Sequence, residues 1–272
     1  MIAVEARRAE HSPHPDTTDL CFQGAAWFNK GRNPEHLGQG RRFFERALAL
    51  EPGNVEALVG TALVDIGVAT TFYTDDRIER LTAAEASVTR ALSLAPNHPV
   101  AHFVLGMVQI FTDRVAQGIA ECERALALDR NLANAHANIG VAKLLIGRGV
   151  ETEAHIQEAL RLSPRDTHLY IWTMYGGLAA FLLGTDAEAI DWLRRSLEAN
   201  RNYPIAHFFL AAALAQVGEL GAARASVQGG LALNPSFSIR RFRDNSPSNH
   251  PTYLALRERV YEALRIAGVP EG

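Results

Sequence analysis

Residues Glu121 to His136 read Glu-Cys-Glu-Arg-Ala-Leu-Ala-Leu-Asp-Arg-Asn-Leu-Ala-Asn-Ala-His, and this phrase decides the fold because it recurs along the chain. Degraded but aligned copies are FFERALALEPGNVEAL from Phe43, SVTRALSLAPNHPVAH from Ser87 and HIQEALRLSPRDTHLY from His155. Two more are WLRRSLEANRNYPIAH from Trp192 and SVQGGLALNPSFSIRR from Ser226. The copies start at 43, 87, 121, 155, 192 and 226, so the spacings are 44, 34, 34, 37 and 34. A base period of 34 with two local insertions is the signature of stacked helix–turn–helix units,.

Such an array grows by adding units, so the 272 residues read as one domain despite a length that would suit two,. With 47% apolar residues the chain can bury a continuous core. A net charge of −3 gives no general electrostatic reason to expect nucleic acid or an anionic membrane as partner,. Cys21 and Cys122 lie in different units with no CxxC pair, which argues against a disulfide framework or zinc knuckle and for a reducing, cytoplasmic setting,. Residues 1–18 lack the apolar run of a secretory signal and read as a polar, disordered leader,. The longest apolar stretch, Trp172 to Gly184, falls well short of the ~20 residues a membrane span needs and reads as a buried helix,.

Each copy begins inside one helix and ends it before a turn marked by Pro52, Pro96, Pro164 or Pro235, with Arg130 and Arg201 standing there in two copies. Proline has no N–H to continue the helical ladder, and Asn54, Asn97, Asn131, Asp166 or Asn202 is at hand to start the next helix,. Inside each unit, Gly147, Gly184 and Gly218 supply the left-handed residue that closes a helix, and Thr112-Asp113-Arg114 replaces glycine in the third unit,. The expected helix pairs are 19–31 with 36–51, 55–70 with 82–95, 99–112 with 116–129, 133–146 with 150–163, 167–183 with 186–200, and 204–217 with 221–234. Small residues at Gly106, Gly140, Ala84, Gly118, Ala189 and Ala223 mark where paired helices cross,. Four residues after those of the second helices come Val88, Cys122, Leu193 and Val227, bulkier and core-facing as are Phe44 and Ile156, and Ala47, Ala91, Ala125 and Ala159 follow three residues later.

Small residue, bulky residue, alanine and then proline is the pattern by which residues 19–235 resemble tetratricopeptide repeats. The resemblance implies an all-α, right-handed superhelical solenoid of about six units, 19–52, 53–96, 97–130, 131–164, 165–201 and 202–235. An extension over 236–272 follows, with a capping helix at about 251–267. More narrowly, FFERALALEP, GIAECERALALDR and RERVYEALRIAGVPEG resemble the repeat region that follows the catalytic domain of bacterial class III adenylate/guanylate cyclases and that also follows winged-helix regulators. No cyclase domain or metal-binding aspartates correspond to any part of the chain, so the resemblance implies a regulatory or binding module in signalling without catalysis.

The site motifs are few. His102, His136 and His207 occupy one repeat position, but equivalent positions on neighbouring helices lie roughly 8–10 Å or more apart, too far to share a zinc ion,. They read as rings packed between helices. No serine sits on a glycine elbow, Cys122 takes a core position, and no GxxxxGK[ST] or strand-borne GxGxxG is present, so neither an enzyme nor a cofactor is expected,. A helical-repeat enzyme or metal protein remains the remote alternative. Arg240, Arg241 and Arg243 form a basic cluster read as pairing with nearby acids rather than with phosphate,. The insertion between Ile66 and Leu81 reads as a surface loop, with a functional edge of the solenoid as the alternative,.

In tetratricopeptide solenoids the first helix of each pair lines the concave face. Carried onto this sequence, the stripe that would bind includes Phe103, Met107, Ile110, Asn134, Val141, Leu144, His168, Ile171, Tyr175, Leu178, Phe208 and Gln216. It is too apolar for a carboxylate clamp, and an apolar face open to water requires a cover. The covers weighed are an amphipathic or apolar segment of a protein or peptide partner, the chain's own C-terminal segment, or another copy in a homodimer. A fourth reading is that superhelical closure buries the stripe. The expected function is a protein-binding scaffold, with self-association as the alternative.

Overall fold

Several helices begin where an Asn, His, Ser or Asp side chain accepts from one of the first free N–H groups,. The computed structural model describes Ile2, residues 4–6 and residues 16–272, and among them it holds fourteen α-helices, one short 3-10 helix and no strand. In chain order they are α1 (Thr17–Phe28), α2 (Pro34–Leu50), α3 (Val55–Ala69), α4 (Arg77–Leu94), α5 (Pro99–Phe111), α6 (Val115–Leu128) and α7 (Ala133–Leu145). The 3-10 turn Gly149–Glu151 leads into α8 (Thr152–Leu162), followed by α9 (Leu169–Leu183), α10 (Asp186–Ala199), α11 (Pro204–Gln216), α12 (Leu220–Leu233), α13 (Ile239–Asp244) and α14 (Pro251–Ala267). Two differences appear at the N-terminal side. Ile2 and residues 4–6 are helical with Ala6 buried, and α1 starts at Thr17, inside the segment expected to be a disordered leader.

In five of the fourteen helices a side-chain cap marks the start. Asp16 and Asp19 form a reciprocal capping box on α1,. Asn54 accepts from the Ala57 amide to start α3, as expected, but α5 is capped by His98 through Nδ1, where Asn97 was the candidate. Asp166 accepts the His168 amide in the turn before α9. At the closing end of α5, Asp113 takes the left-handed conformation (φ 63°) that glycine supplies in its counterparts, Gly147, Gly184 and Gly218,.

Consecutive helices pack as antiparallel pairs whose backbones nearly touch. A Cβ on Gly106 would lie 2.8 Å from the Gly118 carbonyl oxygen, and one on Gly118 would lie 2.7 Å from that of Gly106, so each glycine admits the other's backbone,. Around these crossings Val88, Cys122, Ile156 and Leu193 are fully buried, as are Ala47, Ala91, Ala125 and Ala159. Each large apolar side chain so placed contributes about 1.5–3 kcal/mol. Ser196 takes the alanine slot in its copy and donates to the Tyr170 carbonyl at 2.6 Å.

The array coils until early units meet late ones. Phe28, at the end of α1, packs against His168 with ring centroids 5.1 Å apart. On the opposite rim, the insertion after α3 grips the C-terminal extension. Asn234 Nδ2 donates to the Thr71 and Phe72 carbonyls at 3.4 Å, and Phe72 meets the edges of Phe237 and Phe242. Phe72 has φ 59°, a conformation costing about 1–2 kcal/mol for a residue with a Cβ, which the aromatic contacts offset,. Farther along the extension, Ser248 Oγ lies 2.9 Å from the Leu145 carbonyl, and Asp113 accepts from both nitrogens of Asn249 at 3.1 Å. The insertion read as a surface loop is therefore the clasp that holds the extension, and Arg241 of the basic cluster pairs with its Asp75.

Candidate functional site

The concave interior holds a chain of three cavities. The largest, about 640 Å³, lies in the range of small-molecule and peptide-anchor sites,. Its walls are Phe22, Ala25 and Phe28 of α1, Val59 and Leu63 of α3, Val100 and Phe103 of α5, and Leu132 before α7. Polar groups gather at one edge: Asn29, Arg32, Asn134, Asp166 and His168.

The electrostatics of that edge follow from burial. Burial drives His168 below the ordinary imidazole range, and Asp166 beside it opposes without prevailing, so the ring is neutral at pH 7. Burial would raise Asp166, but hydrogen bonds from His168 hold its carboxyl below the usual range. Arg32 reaches inward with Nη1 at 3.4 Å from Thr70 Oγ1, while its Nε has no acceptor among the described residues. His168 Nε2 is likewise without a partner there. The edge thus offers one free donor, Arg32 Nε, and one free ring nitrogen, His168 Nε2, beside an apolar pocket.

Of the expected stripe, Phe103, Asn134 and His168 line this large cavity. Met107, Val141, Ile171 and Tyr175 line its narrow continuation, and Leu178 lies at the far end. Ile110, Leu144 and Phe208 line none of the three, and their exposures are 0%, 1% and 0%. Ile110 fills the space over Gly118, and Phe208 lies over Gly230 and stacks on Phe237 at 3.8 Å. Gln216, at the end of α11, lines none either and is part-buried. Ile110, Leu144 and Phe208 are thus packed between helices and are not part of the lining, and of the covers weighed the C-terminal extension is the one that lies over the later repeats. Sequence reasoning missed Phe22, Phe28 and Arg32, because the first pair lacks the repeated phrase that set the helical phase elsewhere.

The histidines are engaged in structure. His102 is buried with Nδ1 2.6 Å from Glu121 and Nε2 2.9 Å from the Pro96 carbonyl, and His207 Nε2 meets the Arg201 carbonyl at 2.9 Å in the same way. Each ties its helix to the preceding turn. No group of three His, Cys, Asp or Glu suited to a metal occurs among the described residues. Burial pushes the Cys122 thiol up to about 12 and the Cys21 thiol up to about 11, which leaves both as poor nucleophiles,. No helix among the described residues is long and apolar enough to cross a membrane.

No protein-family model matches the sequence, and comparison with curated proteins finds no match either. Solved structures do match. A thermophilic TPR protein of Thermus thermophilus superposes with a TM-score of 0.57 at 18% identity, over 73% of this chain and 98% of its own. The Cut9-Hcn1 hetero-tetramer of the APC/C matches at 0.65 and 18% identity, covering 95% of this chain and 45% of that one. The fold is a tetratricopeptide solenoid. Human IFIT1, as a dimer with m7Gppp-AAAA, shares this fold at 0.70 and 15% identity, over 100% of this chain and 65% of that one. The solenoid described here thus spans less than half of the Cut9-Hcn1 chain and about two thirds of the IFIT1 chain.

Proposed function

We propose that the solenoid is a non-catalytic binding scaffold that receives an apolar segment of a partner polypeptide in the 640 Å³ cavity. The observation that carries this reading is an aromatic and aliphatic pocket, made by Phe22, Phe28, Leu63 and Phe103, beside hydrogen-bonding groups on Asn29, Arg32 and Asn134. Aromatic anchors set affinity, and a few polar groups at the rim set register. The chain's own extension covers the later repeats, which removes the need for a second copy to do so. The resemblance to repeats of cyclases and winged-helix regulators supports a regulatory role in signalling. Selection of peptides from a display library against the whole chain tests the proposal. Enriched peptides should carry spaced apolar anchors and lose binding to Phe22→Glu; a selection that enriches nothing, or binding indifferent to Phe22→Glu in a folded variant, removes it.

A second reading, RNA, is favoured by one observation: Arg32, Arg77 and Arg257 face the interior without ion-pair partners among the described residues. It draws on the likeness to IFIT1, which is seen with m7Gppp-AAAA. The net charge of −3 and the carboxylates of Glu56 and Asp166 at the mouth weigh against it. Filter binding with short capped and uncapped RNA decides, and retention of either at micromolar protein would replace the peptide reading.

A further inference from the structure

Beyond Arg32 the interior narrows to a channel of about 50 Å³ between Met107, Val141 and Tyr175. Past Tyr175 and Tyr203, which border both spaces, it ends in a second space of about 50 Å³ that Arg77 and Arg257 line. One water needs roughly 10–15 Å³ in the same measure, so the end has room for a group of a few heavy atoms.

Two guanidinium groups are buried there. Arg257 is 1% exposed; its Nη2 donates to the Phe242 carbonyl at 2.5 Å, and its Nε and Nη1 find no acceptor among the described residues. Arg77 is 8% exposed and donates Nη2 to the Phe111 carbonyl at 2.6 Å. Neither forms an ion pair with a carboxylate of the described residues. Arginine cannot shed its charge by losing a proton, so burial without a counter-charge is among the costliest arrangements a fold can hold. The rings of Phe242, Tyr261 and Tyr253 surround the Arg257 guanidinium at 4.1, 5.5 and 5.7 Å and compensate part of that cost,. A ring face does not accept from the N–H groups at the guanidinium edge. The hydroxyls of Tyr175, Tyr203 and Tyr253, on the same walls, form no hydrogen bond among the described residues. Burial raises all three above the ordinary phenol range, so they remain O–H donors. The end of the cavity is therefore lined with two guanidinium groups and hydroxyls able to donate, and none of its lining residues is a carboxylate that would offset the positive charge.

We propose that this closed end binds a phosphate group, held between Arg77 and Arg257 with tyrosine hydroxyls as further donors. Two guanidinium edges match the charge and the several oxygens of a phosphate better than the single atom of a halide. The group arrives either as free inorganic phosphate or as the head of a larger molecule whose apolar part lies in the channel and mouth. The proposal is independent of the peptide reading, which concerns the mouth alone.

Calorimetric titration of the whole chain at constant ionic strength tests it, with inorganic phosphate in one arm and octyl phosphate in the other. Saturable one-to-one binding is expected in at least one arm, weakened at least tenfold by Arg257→Met and by Arg77→Met. Binding of inorganic phosphate alone identifies the free ion; tighter binding of octyl phosphate, itself weakened by Arg32→Met, identifies a head group. The proposal is overturned if neither probe binds at millimolar concentration, or if both arginine variants bind as the unaltered chain does. Should those variants fail to fold by circular dichroism, melting of the unaltered chain decides. A melting temperature that rises with phosphate no more than with matched chloride overturns the proposal, and a phosphate-specific rise supports it.

Discussion

Arg241 donates two hydrogen bonds to Asp75, Nε to Oδ1 at 2.8 Å and Nη2 to Oδ2 at 2.6 Å, across 166 residues of sequence. The pair is well formed but Asp75 is 76% exposed, and exposed pairs contribute only about 0–1 kcal/mol,. The adjacent aromatic contact of Phe72 with Phe237 and Phe242 is the stronger part of the clasp. Arg241→Ala is expected to lower stability by less than about 1 kcal/mol, and Phe72→Ala by about 2 kcal/mol. Urea denaturation measures both. Limited proteolysis within residues 244–250 should quicken for Phe72→Ala and hardly change for Arg241→Ala; the reverse order would show that charge holds the clasp.

Asp113 combines a left-handed backbone with a carboxylate that accepts from the Asn249 amide and side chain. Asp113→Ala keeps the strained backbone and loses the acceptor, for a loss of about 1–3 kcal/mol. Asp113→Gly relieves the strain and should sit closer to the unaltered chain. If glycine proves the worse of the two, the left-handed backbone is not a source of strain at this turn.

Gly106 and Gly38 are both helical glycines, yet alanine should move them in opposite directions. At Gly106 the added methyl meets the Gly118 carbonyl oxygen at 2.8 Å, and forcing the pair apart is expected to cost about 1–3 kcal/mol,. At Gly38 nothing lies within 4 Å, and alanine's helix preference should add about 0.5–1 kcal/mol,. Thermal melts of the two variants give the comparison directly.

Burial raises the pKa of all six tyrosines, Tyr73, Tyr170, Tyr175, Tyr203, Tyr253 and Tyr261, and of both thiols. A raised value in the folded chain means that the unfolded chain loses its proton first. Stability from these groups is whole below about pH 8.5 and falls as pH rises through the ordinary thiol and then phenol values, toward about 11 and 12 for the thiols,. Denaturation midpoints should therefore drop steadily between about pH 9 and 11. A flat profile over that interval would contradict the buried placement of these rings.

The repeat crossings were legible because they are local. Gly106, Gly118, Cys122 and Ala125 recur at fixed spacing, and that spacing specifies which faces meet. The depth of each groove residue was less legible. One position along a helix turns the side chain by about 100°, enough to move Ile110 and Phe208 from the lining into the helix interface,. The clasp could not be read at all, since no periodicity connects Phe72 to Phe242 or Asp113 to Asn249. The same holds for the interior arginines, which come from α4 and α14 and meet only because the superhelix closes.

That closure changes how the molecule must assemble. An open array of repeats can nucleate anywhere and spread between neighbours, with stability that accumulates unit by unit. Here the contacts of Asp75 with Arg241 and of Asp113 with Asn249 await every helix between them. Such distant pairings form late and slow the approach to the native state. In return the ends of the array are tied to its middle, so fraying from the last repeat toward the first is suppressed and the solenoid gives way as a unit.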